Sequence, residues 1–521
     1  MIKYTPSNQL TLEEFKHPFH QQMKKDNRWV ILADLVPWDQ LAEIYARNLN
    51  PKAGRLSVDI RMVIGALIVK HKLKLSDRDT VAMISENMYI QYFCGLRSFQ
   101  MELPFDASLF VDIRKRMGSK NFDEFNEIVI RHSEKLKPKR KRIIKEDGED
   151  QNKWGKAGRR GIPTSRTEDQ KKDILNQGKL KLDASIADQY ITSPNDLKLV
   201  NRAREETERL VDELYKKGNF EEKPRTYRRN ARKEYLSVAK KRNRSNKEIR
   251  VNIGKQLRYL RRNISTIEKM LDKVEQEHDG RFPLKKRDQQ IFWVVQHVFD
   301  QQMYMYRNKV HSCSDRIVNI YQPHVRPMVR GKDRANVEFG SKINISEVEG
   351  FVRCDHIGWD NYDEGADLKL QVERFRQTYG CYPELLLGDR KYLTRENRRY
   401  LKGKGIRIVG KPLGRPPQQE LSGYRKYKTR KEQNMRNHVE GKFGQGKNGY
   451  DMNRIRAKRQ DTSESWISAI LFVMNLTKLM KVAIRYSYFL ALSIWRLIRR
   501  IILITRTECT MTGLSTNIAS V

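Results

Sequence analysis

GKLKLDASIAD, residues 178–188, alternates with the period of a β-strand: Leu180, Leu182, Ala184 and Ile186 fall on one face and Asp183 on the other. ELLLGD (384–389) is a short apolar run closed by Gly and Asp, the form of a strand that stops at the edge of a sheet. NVEFGSKINIS (336–346), EGFVRCDHIG (349–358) and IRIVG (406–410) read as three more strands, and helices are predicted over 366–379, over 394–402 and through the segment that carries Glu440. With the long stretch between the first two strands set aside, the order is strand, strand, strand, helix, strand, helix, strand, helix. That order predicts an α/β fold built on a mixed sheet.

Outward from this unit the patterning changes. Residues 197–312 contain long helical segments, with apolar residues at spacings of three and four in LVDELYKK and QLRYLRRNISTIEKMLDKVEQ and many Arg and Lys between them. They are predicted to form a helical insertion, either coiled on itself or wrapped on DNA, with a solvated helical pair as the plainer reading. Residues 135–177 are dense in charge and lack apolar periodicity, as in a basic linker. Residues 1–134 read as an all-α N-terminal domain in which VDIRMVIGALIVKH and SDRDTVAMISENMYIQYFCG form short helices, Ser76 and Asp79 cap the second, and PFDASLFVDIRKRMG closes the unit with a basic helix. Two such helices joined by a tight turn fit a helix-turn-helix DNA reader; three-helix packing without DNA contact fits the same pattern. The sheet unit is therefore expected over 178–196 and 313–480, with a C-terminal helix and tail over 481–521.

The chain of 521 residues has 104 Lys and Arg against 64 Asp and Glu, a formal net charge of +40, and 38% apolar residues. The apolar share is sufficient for ordinary cores. The charge is spread along the whole chain and points to a polyanion partner, because neutralising phosphates and releasing counterions supplies affinity without sequence choice. Charge alone does not separate a protein that packages nucleic acid from one that cuts it. Cys94, Cys313, Cys354, Cys381 and Cys509 are odd in number and scattered, without metal-ligand spacing, so free thiols in a reducing compartment are expected. The stretch MIKYTPSNQLTLEEF is polar and acidic where a signal peptide needs an apolar run, so no export is expected. Trp466 to Thr505 is strongly apolar, but Lys478, Lys481, Arg485, Arg496, Arg499 and Arg500 interrupt it, which predicts a core helix followed by a second helix and a frayed tail rather than a membrane span.

Asp389 ends an apolar strand, at the edge where α/β sheets place their ligands. Alone it reads equally as a turn or cap residue, as Asp183 and Glu440 alone read as ordinary polar positions. Together the three carboxylates, on the first strand, the fourth strand and a late helix, can converge on hard divalent cations, Mg²⁺ or Mn²⁺, which prefer oxygen ligands. Two such ions would serve in-line attack on phosphorus without a His, Cys or Ser nucleophile. Arg436, four positions before Glu440, and Lys447, seven after it, share its helix face and would hold phosphate oxygens; an intrahelical salt bridge is the plainer role for that spacing. Lys442 and Arg390, each beside one of the carboxylates, complete the set of candidate phosphate ligands.

PFDASLFVDIRKRMG, LDASIADQYITSPNDLKLVNRARE, RGKDRANVEFGSKI, LLLGDRKYL and RNHVEGKFGQGKNGYDMNRIRA carry a resemblance that runs over most of residues 10–480. The chain resembles the DDE transposases of bacterial insertion sequences, in the branch with an InsH-type N-terminal domain. The resemblance places the family's catalytic triad on Asp183, Asp389 and Glu440. Its signature of Tyr, Arg, Glu and Lys falls on Gln433, Arg436, Glu440 and Lys447, so Gln433 stands where the family has a Tyr. It implies a ribonuclease-H-like catalytic fold, for which an insertion after the first strand is familiar in this branch. It further implies two bound Mg²⁺ or Mn²⁺ ions, cleavage at the terminal inverted repeats of an element, attack of the freed 3′-OH on target DNA, a homodimer on double-stranded DNA, no membrane, and a cytoplasmic, nucleoid-associated setting in a bacterium. The rival readings are a stand-alone nuclease of the same fold and a non-catalytic DNA-binding protein derived from a transposase.

Several other residues carry chemistry-bearing side chains. Asp355, His356, Asp360 and Asp363 are expected as turn and cap residues rather than metal ligands, and Asp188 and Asp196 as structural. Trp359 and Tyr362 are expected to pack beneath a loop, with stacking on an extruded base as the alternative. In VRGKDR (329–334), Gly331 between cations suits a turn close to a phosphate backbone but is too short for a P-loop.

Overall fold

Strand β1 (Lys179–Asp188) is the centre of the sheet, and it is buried on both faces rather than on the Leu face alone. The computed structural model describes residues 3–6, 15–16, 22–50, 52, 56–136, 176–277, 282–329, 337–409 and 423–515. Most of the basic linker and all of the VRGKDR motif beyond Val329 lie outside the described residues. The other strands are β2 (Arg326–Val329), β3 (Val337–Val348), β4 (Phe351–Gly358), β5 (Leu385–Leu387) and β6 (Arg407–Val409). β3 runs antiparallel to β1 and to β4 on its two edges, while β5 runs parallel to β1 and β6 parallel to β5. The mixed α/β sheet expected from the sequence is present, and its strand boundaries fall within a few residues of the periodicity. β2 is an addition: RPMV is too short and contains a Pro, so nothing in its sequence marks it, and only antiparallel pairing with the start of β3 makes it a strand.

Register between β1 and β3 depends on Gly340. A Cβ there would stand 1.9 Å from the carbonyl oxygen of Ala187, so only glycine allows the two backbones their spacing.

Helices cover both faces. In the N-terminal part α1 (Arg28–Leu35), α2 (Trp38–Ala46), α3 (Ile60–Leu73), α4 (Asp77–Glu86) and α5 (Met88–Phe93) precede the long α6 (Leu109–Leu136), which bends at Gly118 where φ is +56°. The capping of α4 is as expected: Ser76 accepts from the Asp79 N–H and Asp79 reaches back to the Ser76 N–H. α3 is buried along nearly its whole length, so within this helix pair the surface belongs to α4, whose exposed positions include Arg78, Asp79 and Glu86. Charge on that surface is mixed rather than basic.

The insertion holds four helices, α7 (Asp196–Tyr215), α8 (Arg228–Ala239), α9 (Asn246–Glu277) and α10 (Lys286–Asn308); α7, α9 and α10 share a core of their own that includes Val200, Leu210, Leu257, Ile267 and Val295, and α8 is bonded to α9. It is a packed subdomain, not a solvated pair. Beyond it α11 (Leu368–Tyr379) and α12 (Arg395–Gly403) pack on the Leu180 and Leu182 face of the sheet. α13 (Gly423–Gly449) and α14 (Gln460–Ser515) lie on the other face, where Val439, Phe443, Ile470 and Phe472 share a core with Ile343, Ile345 and the N-terminal helices.

α14 corrects the expectation of two C-terminal helices. It is continuous from Gln460 to Ser515, because its first fifty residues contain neither Gly nor Pro to end it. Its part Gln460–Tyr488 is long and apolar enough to cross a membrane by length and composition, yet 61% of its most apolar stretch is buried inside the protein. Phe122 and Phe125 of α6 pack on Phe472, and the Asn475 amide bonds α6 and β4 at once, donating to Asn126 Oδ1 at 2.9 Å and to the Val352 carbonyl at 2.7 Å while accepting from the Val352 N–H at 2.9 Å. At its other end Trp466 lies beneath Lys70 and Arg114, whose charges meet on Asp77 at 2.9 Å each. A lipid-facing helix would not carry these partners on its apolar side.

Candidate active site

Parallel register fixes the first two carboxylates. Lys179 pairs with Leu385 and Lys181 with Leu387, so Asp183 and Asp389 each lie two residues beyond the same rung of the β1–β5 ladder. Leu385 and Leu387 face Met435 of α13, and by the two-residue period Asp183 and Asp389 are directed to that same side. β5 ends there because the chain turns into a short 3-10 segment, Arg390–Tyr392, which Asp389 caps by accepting from the Arg390 N–H at 2.7 Å. Asp389 is thus both a cap and an exposed strand-end carboxylate; the two readings of its sequence position are compatible.

α13 supplies the third group. Val439 and Phe443 anchor it in the core, which leaves the neighbouring Glu440 exposed, and Arg436 bonds Glu440 at 2.5 Å across one helical turn. The intrahelical salt bridge is therefore formed. The Asp183 carboxyl is pushed up to about 6, first by burial, against the lowering effects of the Ala184 N–H and the Arg436 charge, and with Glu440 and Asp389 both raising it further. Three carboxylates thus act on one region. Among the described residues no group of three His, Cys, Asp or Glu side chains encloses a metal position, so the carboxylates share a field without forming a closed cage. Their donor set fits Mg²⁺ or Mn²⁺: all oxygen, and with mutual repulsion that a dication would reverse.

A cleft of about 460 Å³ opens beside Asp389, with Arg390, Arg398 and Arg436 among its lining residues together with Gln433, Asn434 and Asn437. Of the candidate phosphate ligands Arg390 and Arg436 line this cleft, and of the three carboxylates Asp389 does. Lys447 does not line the cleft; its ammonium lies 3.5 Å from Asp188 and 3.9 Å from Glu338. Lys442 is also outside it, half-buried, its ammonium pulled below the usual range first by burial, with Glu347 opposing and Lys478, Lys481 and Lys181 adding to the shift. Arg398 is the cleft residue that sequence reading missed. It sits on the first turn of α12, nine residues after Asp389, and that proximity to a strand-end carboxylate is the signal that would have found it.

Other acidic and aromatic candidates are placed apart from this cleft. Asp355 and His356 lie within β4 rather than in the turn after it, because the strand continues to Gly358. Asp355 is buried against Gln371 (2.8 Å) and Arg374 (3.3 Å), and His356 Nδ1 lies 3.1 Å from Asp367 with its ring stacked on Tyr362. Asp363 is the expected cap, and Asp360, exposed, reaches Arg326 at 3.9 Å. Trp359 packs against Val318 and Val325, and its indole N–H donates to Glu464 at 2.8 Å. Asp196 ties α7 to α10 and to the segment after it through Gln302 (2.9 Å) and Arg316 (2.5 Å).

Comparison with known proteins bears on the two ends of this arrangement. Residues 386–477, which contain Asp389 and Glu440, match the family described as "Transposase DDE domain", and residues 17–116 match "Transposase domain (DUF772)". A curated relative from Rhizobium meliloti, "Uncharacterized protein ORF8 in nfe locus", is 38% identical over 95 residues, 18% of this chain; the chain spans 45% of that relative's length. No solved structure matches. Two separate segments of the chain, one of them holding two of the three carboxylates, thus match transposase families, and the resemblance to the DDE transposases of insertion sequences is borne out.

Proposed function

We propose that this protein is a metal-dependent transposase that binds the terminal inverted repeats of an insertion sequence, cleaves DNA at its ends and transfers the freed 3′-OH to target DNA. The observation that carries the reading is the placement of Asp183 and Asp389 level on adjacent parallel strands, with Glu440 on the helix that crosses the same face. Asp183, Asp389 and Glu440 are the ligands. When bound, Mg²⁺ or Mn²⁺, as a pair of ions, supplies a more acidic water or hydroxyl nucleophile and stabilisation of the leaving oxygen. The chain itself binds and orients the DNA strand: Arg390 and Arg436 hold phosphate oxygens at the cleft, Arg398 adds a third guanidinium, and the Gln433 amide takes the place of the family's Tyr. Arg436, paired with Glu440 in the free protein, is positioned to pass to phosphate once the carboxylate is engaged elsewhere.

A ribonuclease-H-like fold is supported by the strand sequence β4-β3-β1-β5-β6, antiparallel through β1 and parallel beyond it. The α1–α6 unit, including most of the DUF772 match, is assigned to DNA-end binding, and 178–196 with 313–480 to catalysis. Joining two element ends calls for a homodimer on double-stranded DNA, at work on the bacterial nucleoid in the cytoplasm.

Asp389→Asn tests the site. The variant is expected to bind element-end DNA as the wild type does and to lose Mg²⁺-dependent nicking and joining; normal cleavage by it would overturn the triad. A wild-type protein that nicks but never joins a pre-cut 3′-OH end to a second duplex would reduce the reading to a nuclease, and one that binds without nicking would reduce it to a binding protein.

A further inference from the structure

Residues 225–262, the α8–α9 hairpin and its flanks, contain fifteen Lys and Arg and two Glu. Both Glu are already engaged: Glu234 with Lys255 at 3.1 Å, Glu248 with Lys241 and Ser245. Arg229, Arg232, Lys233, Lys240, Arg242 and Lys247 are exposed, and among the described residues none of them pairs with a carboxylate. A solvated helical pair ordinarily interleaves its charges; here like charges repel along two helices, of which α9 is fixed by the subdomain core and α8 is held on α9 by the Gln256 and Asn252 amides. We infer that the α8–α9 hairpin is a second duplex-DNA surface, separate from the cleft, which grips the phosphate backbone of DNA beside the reacting end.

Three observations support that partner. From Arg229 to Lys240 the basic face of α8 spans about 17 Å at a rise of 1.5 Å per residue, enough to follow several phosphates of a double helix. The hairpin lacks the stacking platform of a single-strand binder: its flanking Tyr227 lies beneath Arg262, and the exposed aromatics Trp293 and Tyr304 are on α10. Its position is also near the sheet. Near its start α9 bonds the end of α10 (Arg250–Tyr306, 2.6 Å), and further along it bonds the middle of α7 (Gln256–Arg204, 2.9 Å). Tyr235 of α8 shares a cavity of about 420 Å³ with Thr192, Ser193 and Asn195 of the segment leaving β1. The basic hairpin is therefore at the catalytic end of the insertion, not at its far tip. This assignment rests on the transposase reading only in taking DNA as the polyanion.

The test is equilibrium binding of the full-length protein to a random-sequence 30-base-pair duplex across a salt series, with Arg229→Gln, Arg232→Gln, Lys233→Gln, Lys240→Gln and Arg242→Gln combined. Each lost phosphate contact lowers the slope of log affinity against log salt by about 0.9, so the expected change is a slope smaller by about 4, with at least tenfold weaker binding at physiological salt. A companion variant with Lys at Arg229, Arg232 and Arg242 keeps the charge and is expected to keep the slope, which separates charge from folding. An unchanged slope in the Gln variant overturns the inference, as does equal displacement of the duplex by single-stranded DNA at equal phosphate concentration. Failure of the catalytic reading is distinct: Mg²⁺-dependent cleavage would then be absent from the wild type while the slope still changed in the Gln variant.

Discussion

Asp183 on β1 and Asp389 after β5 stand at the same level of two parallel strands, each two residues past the Lys181–Leu387 pair, and the Asp389 charge adds to the cost of ionising Asp183. Sequence separation hides this relationship and register creates it. The repulsion is what a divalent cation would relieve.

Because the Asp183 carboxyl is lifted to about 6 from an ordinary 3.8, its ionisation opposes folding. The penalty is absent below pH 4, grows between pH 4 and 6, and is complete above. Asp183→Asn is expected to stabilise the metal-free protein at pH 8 by roughly 3 kcal/mol, to do nothing at pH 4, and to abolish stabilisation by Mg²⁺. Urea midpoints with and without Mg²⁺ measure all three; a variant still stabilised by Mg²⁺ as the wild type is would remove Asp183 from the ligand set.

Asp123 of α6 offers a contrast. Burial pushes its carboxyl up to about 7, with Asp355 and Glu127 adding to the rise and Arg374 and Arg353 opposing it, in a cavity of about 270 Å³ between α6, β4 and α11. Asp123→Asn should therefore stabilise the protein at pH 8 by on the order of 4 kcal/mol, with the gain shrinking as pH falls through 7 toward 4. Mg²⁺ should leave that gain unaltered. A pH-independent effect in the same urea series would contradict the assignment.

The four candidate phosphate ligands divide by placement. Arg390→Ala and Arg436→Ala, together with Arg398→Ala, are expected to weaken phosphate holding in the cleft, each raising KM for DNA or lowering kcat about tenfold or more. Lys447→Ala instead leaves Asp188 and Glu338 without their shared cation and is expected to cost about 1–3 kcal/mol of stability with the salt dependence of DNA binding unchanged. A salt slope that falls by one in Lys447→Ala would return that lysine to the DNA.

Asn475→Leu removes the amide that joins α14 to β4 and α6. Val352 is fully buried and would be left with both its N–H and its carbonyl unpaired on that side, so a loss of roughly 2–4 kcal/mol is expected. Chemical unfolding followed by Trp fluorescence gives the value. A change below about 0.5 kcal/mol would show that the N-terminal helices and the sheet are not coupled through this residue.

What could be read from the chain directly was whatever a local period encodes. Alternation placed β1, β3 and β4, the run ELLLGD placed β5 and ended it at Asp389, and Ser76 with Asp79 announced the start of α4, because each of these signals lies within a few residues of backbone. The family motifs added the choice of Glu440. Tertiary structure decided the rest, for reasons that no window of sequence contains. Pairing made RPMV a strand, the close approach at Gly340 set the β1–β3 register, and the core of the insertion turned basic helices into a folded subdomain. Lys447 shares a helix face with Glu440, yet its ammonium is held by Asp188 and Glu338; Arg398, from another helix, lines the cleft instead. A helix period states which residues share a face, but only packing states what that face meets.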